Sequence, residues 1–150
     1  MDEIAIRQLR GPEEYPRLVQ VWRSAVEATH DFLAEEHRAS IEGRLAAEYF
    51  PHVVLTVADR EGVPVGFAGT VGGNLEMLFV EAAHRGRGIG KALLDHVRRV
   101  ESVTTVDVNE QNTQAMEFYG RAGFVVVGRS PVDGEGLPYP LLHMRVAGTA

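Results

Sequence analysis

The segment Arg85-Gly86-Arg87-Gly88-Ile89-Gly90-Lys91 constrains this chain more than any other. An apolar run over residues 75–80 precedes it, and Ile89, Leu93, Val97 and Val100 follow at steps of four, four and three. That spacing predicts a strand, a tight turn and a helix over about residues 88–101. Glycine at alternate positions lets the turn form with no Cβ in the path of a ligand. The first turn of a helix leaves N–H groups without partners and carries partial positive charge, and both attract phosphate. Arg85, Arg87 and Lys91 add full charges, so the segment suits a pyrophosphate.

Two other glycine motifs fit less well. A dinucleotide fingerprint spaces its glycines as G-x-G-x-x-G in a first strand–helix–strand unit. Here Gly86, Gly88 and Gly90 are evenly spaced and follow several strand-like runs. A Walker loop needs Ser or Thr after Gly-Lys, whereas Ala92 has no hydroxyl for Mg²⁺. A solvated turn is the plain alternative, and Arg85-Gly86-Arg87-Gly88 could also suit RNA. Charge weighs against RNA: 15 Lys and Arg face 21 Asp and Glu, a net charge of −6 that repels a phosphate backbone. The cations are local, with Arg85, Arg87, Lys91, Arg98 and Arg99 set against the single acid Asp95.

With 150 residues, 45% of them apolar, the chain is expected to form one domain over 1–150. Its apolar runs fall far short of the roughly 20 residues of a spanning helix. Met1-Asp2-Glu3 is acidic and unlike a signal peptide. A soluble cytoplasmic protein with no membrane or nucleic-acid partner is therefore expected. There is no cysteine, which removes disulfides, thiolate metal sites and a cysteine nucleophile. The six histidines show no metal-site spacing with carboxylate support, so no metal is expected.

Periodicity gives a short strand over residues 4–9, broken by Gly11-Pro12, and a helix over about 13–28 bearing Leu18, Trp22, Ala25 and Val26. A second helical stretch ends near Phe50-Pro51. Strands over 53–58, 65–71 and 75–80 form a meander. After the helix at 88–101 come a strand over 103–108 and a helix capped by Asn112 or Thr113 and ended by Gly123. Strands over 124–128 and 141–146 close the chain. The order β-α-α-β-β-β-α-β-α-β-β is mixed α/β, with one strand–helix–strand crossover after the meander.

Arg85-x-x-Gly88-x-Gly90, following Leu78-Phe79-Val80, resembles the pantetheine–pyrophosphate motif of the GNAT superfamily of N-acetyltransferases. A second motif lies at the superfamily's spacing: Asn112-x-x-Ala115-x-x-Phe118-Tyr119-x-x-x-Gly123-Phe124. The segments 29–33, 108–112 and 138–142 are similar to the YjaB-like bacterial branch. The resemblance spans essentially the whole chain and implies a central mixed sheet of about seven strands with about four helices. It also implies acetyl-CoA as donor and a primary amine as acceptor, with direct transfer in a ternary complex. The rival reading is a non-catalytic acyl-CoA-binding or regulatory module.

The resemblance assigns the cofactor to Leu78, Phe79, Val80, Arg85, Gly86, Arg87, Gly88, Ile89, Gly90, Lys91, Asn112 and Tyr119. Backbone N–H groups of Phe79 or Val80 would hold the carbonyl oxyanion, provided the strand at 75–80 parts from the one at 103–108. Tyr119 is the candidate leaving-group acid. A phenol of pKa about 10 cannot readily protonate a thiolate of pKa about 8.5, so hydrogen-bond donation suits it better. Glu76 is the candidate base. His30, Asp31, Phe32 and Tyr139 would border the acceptor. Acceptor identity, the physiological acyl group and oligomeric state stay open, with a homodimer the default assembly.

Overall fold

Two tight turns set the middle of the chain. Glu61 and Gly62 have φ of 54° and 84°, and Gly72 and Gly73 have 53° and 87°. Positive φ at both central residues matches the right-handed twist of flanking strands and favours two-residue hairpins. In the computed structural model, which describes residues 3–148, these turns join three successive strands. β1 spans Ile4–Gln8, β2 Val54–Arg60, β3 Val63–Val71 and β4 Asn74–Val80. All four pair antiparallel in the order β1-β2-β3-β4. Met1 and Asp2 of the acidic N-terminus lie outside the described residues.

The chain then crosses over through α3 (Ile89–Val100) to β5 (Thr105–Asn109), parallel to β4. α4 (Thr113–Arg121) leads to β6 (Phe124–Ser130) and β7 (Leu141–Val146), giving a seven-stranded mixed sheet ordered β1-β2-β3-β4-β5-β7-β6. With α1 (Tyr15–Thr29) and α2 (Glu35–Arg44), the mixed α/β class, seven strands and four α-helices are as the sequence implies.

Each face of the sheet has its own core. Leu18, Val21, Trp22 and Val26 of α1 pack with Val57, Phe67, Leu45 and Phe50. Ile89, Leu93, Leu94 and Val97 of α3 pack on the opposite face with Ala58, Val65, Ala68, Leu75, Val106 and Met144. Gly66 permits this closeness: a Cβ there would meet the Phe79 carbonyl at 3.2 Å and Leu93 at 3.3 Å. Among the described residues no helix is long and apolar enough to cross a membrane.

The second helical stretch ends near Phe50-Pro51 as expected, but only its first part is a regular α-helix. α2 ends at Arg44 and gives way to a widened helical turn over Leu45–Tyr49 and a 3₁₀ turn over Phe50–His52. Pro51 lacks an N–H for a continuing helix. Leu45 and Phe50 are buried in the core through this irregular path.

One irregularity in β4 positions the site. Thr70 pairs with Leu75 and Gly69 with Met77, so Glu76 is the extra residue of a β-bulge. The bulge resets the alternation of side chains. Leu75 faces the α3 side, Met77 and Phe79 the α1 side, and Leu78 and Val80 the α3 side again.

Candidate active site

β4 and β5 pair at Asn74–Thr105 and Leu75–Val106 and then part. The gap required by the sequence reading is thus present, and its origin is the bend at Glu76. Glu81 N–H donates to the Val65 carbonyl at 2.8 Å. Strand alternation then commits the Phe79 N–H to β3, opposite Phe67, and turns those of Leu78 and Val80 toward the gap. Val80 is therefore the better placed of the two expected oxyanion donors.

Beyond the gap the chain turns through Gly86 and Gly88, with φ of 76° and 80°, into α3. L-residues with side chains rarely adopt this left-handed region, and a Cβ at either glycine would enter open space. No side chain caps α3. The N–H groups from Gly86 to Gly90 find no acceptor among the described residues. Exposed donors, positive helix end and absent Cβ atoms together fit a pyrophosphate.

A cleft of about 440 Å³ runs from this turn along the gap. Of the expected cofactor residues, Leu78, Phe79, Val80, Arg85, Gly86, Gly90, Asn112 and Tyr119 line it. Arg87 and Gly88 lie at its turn without lining it. Ile89 is buried in the α3 core, so only its backbone is available to a ligand. Lys91 points along its helix to Asp95, at 2.7 Å, away from the cleft wall. Gln114 and Arg121 also line the cleft. The sequence reading missed both, because they reach it only through the packing of α4 beside α3. Arg85 donates to Gln114 Oε1 at 2.5 Å.

Asn112 caps α4, its Oδ1 accepting the Ala115 N–H at 3.1 Å. That bond turns its amide nitrogen toward His30 Nε2, at 3.5 Å. On the other side of the imidazole, Thr29 Oγ1 lies 2.7 Å from Nδ1. The Thr29 hydroxyl proton is given to the Ala25 carbonyl at 2.8 Å, so Nδ1 must be the donor and Nε2 carries the lone pair. Burial holds the His30 imidazole below its ordinary pKa, with Asp31 opposing the shift. His30 is thus neutral at pH 7, wedged between this cleft and the gap.

Tyr119 is buried, its ring against Phe118 and Phe124 at 5.1 and 5.7 Å. Burial pushes its phenol well above the ordinary value, so the hydroxyl keeps its proton. No hydrogen-bond partner among the described residues holds that hydroxyl. It is a free donor facing both the cleft and the gap.

The gap itself is a pocket of about 100 Å³ lined by His30, Glu76, Leu78, Asp107, Asn112 and Tyr119, among others. On the α1 side of β4 it adjoins a cavity of about 360 Å³. Trp22, Leu45, Met77 and Phe79 supply apolar wall, and Glu48, Glu76, Asp133 and Glu135 supply carboxylates. Glu135 from the β6–β7 loop ion-pairs with Arg44 and accepts from the Tyr49 hydroxyl at 2.8 Å, fastening the loop over the widened turn. Burial, then the bond to Glu135, keeps the Tyr49 phenol pushed up to about 12.

The expected acceptor residues divide. His30 reaches the gap. Phe32 stacks between His30 and Tyr139, with ring centroids at 5.2 and 6.4 Å. Asp31 is exposed and lines none of these cavities. Tyr139 is a strut: its hydroxyl accepts the Ala34 N–H at 3.1 Å and meets His37 Nδ1 at 2.5 Å, tying the late loop to α2.

Comparison with known proteins agrees with this geometry. The profile of the acetyltransferase (GNAT) domain matches residues 20–147. Peptidyl-lysine N-acetyltransferase YjaB of Salmonella typhimurium is 45% identical over 142 residues, covering 94% of this chain and 97% of that protein. The solution structure of apo-form YjaB from Escherichia coli superposes with a TM-score of 0.88 at 42% identity, covering 98% and 99% of the two chains. PaiA N-acetyltransferase from Thermoplasma acidophilum, solved with coenzyme A, shares the fold at a TM-score of 0.76 and 20% identity, over 96% of this chain and 99% of that one. The chain belongs to the GNAT family and is an N-acetyltransferase.

Proposed function

We propose that this chain transfers the acetyl group of acetyl-CoA to the ε-amine of a lysine in a peptide or protein, by direct attack in a ternary complex. The observation that carries this reading is the meeting of two cavities across the β4–β5 gap. The cofactor cleft arrives from the α3 side and the carboxylate-lined cavity from the α1 side, and Glu76 and Phe79 border the passage. The relative named peptidyl-lysine N-acetyltransferase supports the same acceptor class.

Acetyl-CoA supplies an activated thioester. The amides at Gly86 to Gly90, with Arg85, hold its pyrophosphate. Asn112 meets the pantetheine arm. The Val80 N–H polarises the thioester carbonyl, and a donor so placed strengthens as negative charge develops on oxygen. The protonated Tyr119 hydroxyl donates to the departing sulfur. Its raised pKa makes complete proton transfer unfavourable, so it acts as a hydrogen-bond donor.

On the acceptor side the apolar walls suit the lysine stem and the carboxylates suit its ammonium group. Glu76, the candidate base of the sequence reading, stands where it draws that cation into the gap. No cysteine exists to form an acyl-enzyme, which supports direct attack.

The experiment is a peptide screen reading CoA release and product mass. Lysine peptides should consume acetyl-CoA well above background, with 42 Da, about one acetyl, added on the side chain. Consumption only with free N-terminal amines, or none above background with any amine, would overturn the reading.

A further inference from the structure

The glycines that open the turn to a diphosphate also leave it loose. Gly86 and Gly88 carry no Cβ and sit at positive φ, so nothing within the turn fixes where its N–H groups point. The exposed segment 85–88 hangs between two buried residues, His84 and Ile89. Ile89 anchors it downstream in the α3 core. Upstream it is anchored by Glu81 and His84, whose side chains no step above uses. A 3₁₀ turn over Ala82–His84 leads into Arg85, with the His84 N–H on the Glu81 carbonyl at 2.9 Å. Ser24 Oγ of α1 accepts the Ala82 N–H at 2.9 Å.

Side chains lock this turn to three other elements. Arg60 of β2 donates through Nη1 to His84 Nε2 at 3.4 Å. A guanidinium only donates, so Nε2 carries the lone pair and Nδ1 the proton, which goes to Glu81 Oε1 at 3.1 Å. The second Glu81 oxygen accepts from Arg17 Nη2 of α1, and Arg17 Nε donates to the Pro64 carbonyl of β3 at 2.9 Å. Glu81 therefore faces a donor on each of its oxygens. In E81Q one oxygen becomes an NH₂ group, which meets a donor whichever way the amide is turned.

We propose that Glu81 and His84 are positioning residues for the diphosphate of acetyl-CoA: with Arg17 and Arg60 they hold the upstream end of the turn so that its N–H groups converge before the cofactor arrives. This inference rests on the cofactor reading of the cleft given above. A binding loop already fixed in its bound form removes the ordering cost from association. Charge alone argues the other way for Glu81, since an acid near an anion site repels its ligand. The two effects give E81Q opposite signs. Relief of repulsion tightens acetyl-CoA binding, and loss of the brace loosens it.

The test titrates acetyl-CoA into the wild type, E81Q, H84L, H84N and S24A by calorimetry, with CoA release on a lysine peptide measured in parallel. E81Q and H84L should raise the acetyl-CoA Kd and KM by about tenfold, with kcat at saturation within about twofold of wild type. The amide nitrogen of H84N stands near the place of Nδ1 and can still donate to Glu81, so this variant should recover most of the loss. S24A should raise Kd by about threefold. A role in stability alone has another signature: fewer active molecules, hence lower binding stoichiometry and apparent kcat, at unchanged Kd and KM. That signature would overturn the proposal. So would Kd values for E81Q and H84L within about twofold of wild type, or tighter binding by E81Q. Should E81Q and H84L show no cooperative urea unfolding, S24A decides, and an unchanged Kd overturns the proposal. A wild type that binds no acetyl-CoA overturns the cofactor reading itself. One that binds it and acetylates no peptide overturns only the lysine reading, with Kd still deciding this proposal.

Discussion

Leu75 and Val106 form the last rung between β4 and β5, and the very next residue of β4 is the bulged Glu76. The cleft beside α3, the gap and the carboxylate-lined cavity all border this part of β4. A bulge bends its strand and interrupts the ladder, which here frees backbone N–H groups on the gap side without leaving them in an apolar core. The sheet is opened at the point where the proposed reaction needs donors.

Tyr119→Phe removes a free hydroxyl between cleft and gap while keeping the ring in its aromatic cluster. We expect kcat to fall by about tenfold to a hundredfold, with acetyl-CoA affinity within about twofold of wild type. Stopped-flow or steady-state CoA release with parallel calorimetry checks this. An unchanged kcat would remove Tyr119 from the mechanism.

Gly88 has φ of 80° with open space around the missing Cβ. Gly88→Ala should cost about 1–2 kcal/mol through backbone strain alone. Gly88→Glu adds a carboxylate in the phosphate path and should abolish acetyl-CoA binding at concentrations that saturate the wild type. Melting curves and calorimetry separate the two effects. Normal cofactor titration by Gly88→Glu would contradict the phosphate cradle.

Much of this was legible in the sequence because its signals are local. The glycine–arginine turn, the Asn112 cap and the Gly123 terminator each act within a few residues, and the strands at 75–80 and 141–146 follow from alternation and turn chemistry. The bulge at Glu76 was not legible, since it exists only in the register of β4 against β3. The hydrogen bond between Asp107 of β5 and His143 of β7, at 2.6 Å, was not legible for the same reason: cross-strand partners far apart in sequence share no local pattern. Tyr139 is a loop aromatic by sequence, and only the packing of α2 gives its hydroxyl the Ala34 N–H and His37.

Burial lowers the His30 pKa, so protonation favours the unfolded chain. As pH falls below the unfolded value of about 6.5, the unfolded state takes up a proton that folded His30 does not. Stability should therefore fall, by at most about 1.4 kcal/mol per pH unit for this group, until the folded pKa is passed. Urea unfolding of wild type and His30→Gln at pH 7.5 and 5.5 measures it. An equal pH dependence in both proteins would contradict the burial of a neutral imidazole.

Arg7 joins two carboxylates at the open end of the sheet. Its Nη1 and Nη2 donate to Glu14 at 3.0 and 2.8 Å, and its Nε donates to Asp59 at 2.5 Å. The Arg7 hydrogen bonds hold the Glu14 carboxyl below its ordinary range. This contribution is present above the unfolded carboxyl pKa and is lost as pH falls through the lowered folded value. Arg7→Met strips both acids of their shared cation, leaving Glu14 the Arg10 N–H at 2.8 Å, and should cost about 3 kcal/mol at pH 7, less at pH 3. Chemical denaturation at both pH values checks the size and the sign.

A crystal structure with acetyl-CoA bound tests the central claim most directly. The diphosphate should lie within hydrogen-bond distance of the amides between Gly86 and Gly90. The thioester should enter the gap beyond Leu75–Val106, its oxygen toward the Val80 N–H and its sulfur toward Tyr119. Density for the nucleotide at any other surface, with the gap empty of the thioester, would contradict the account.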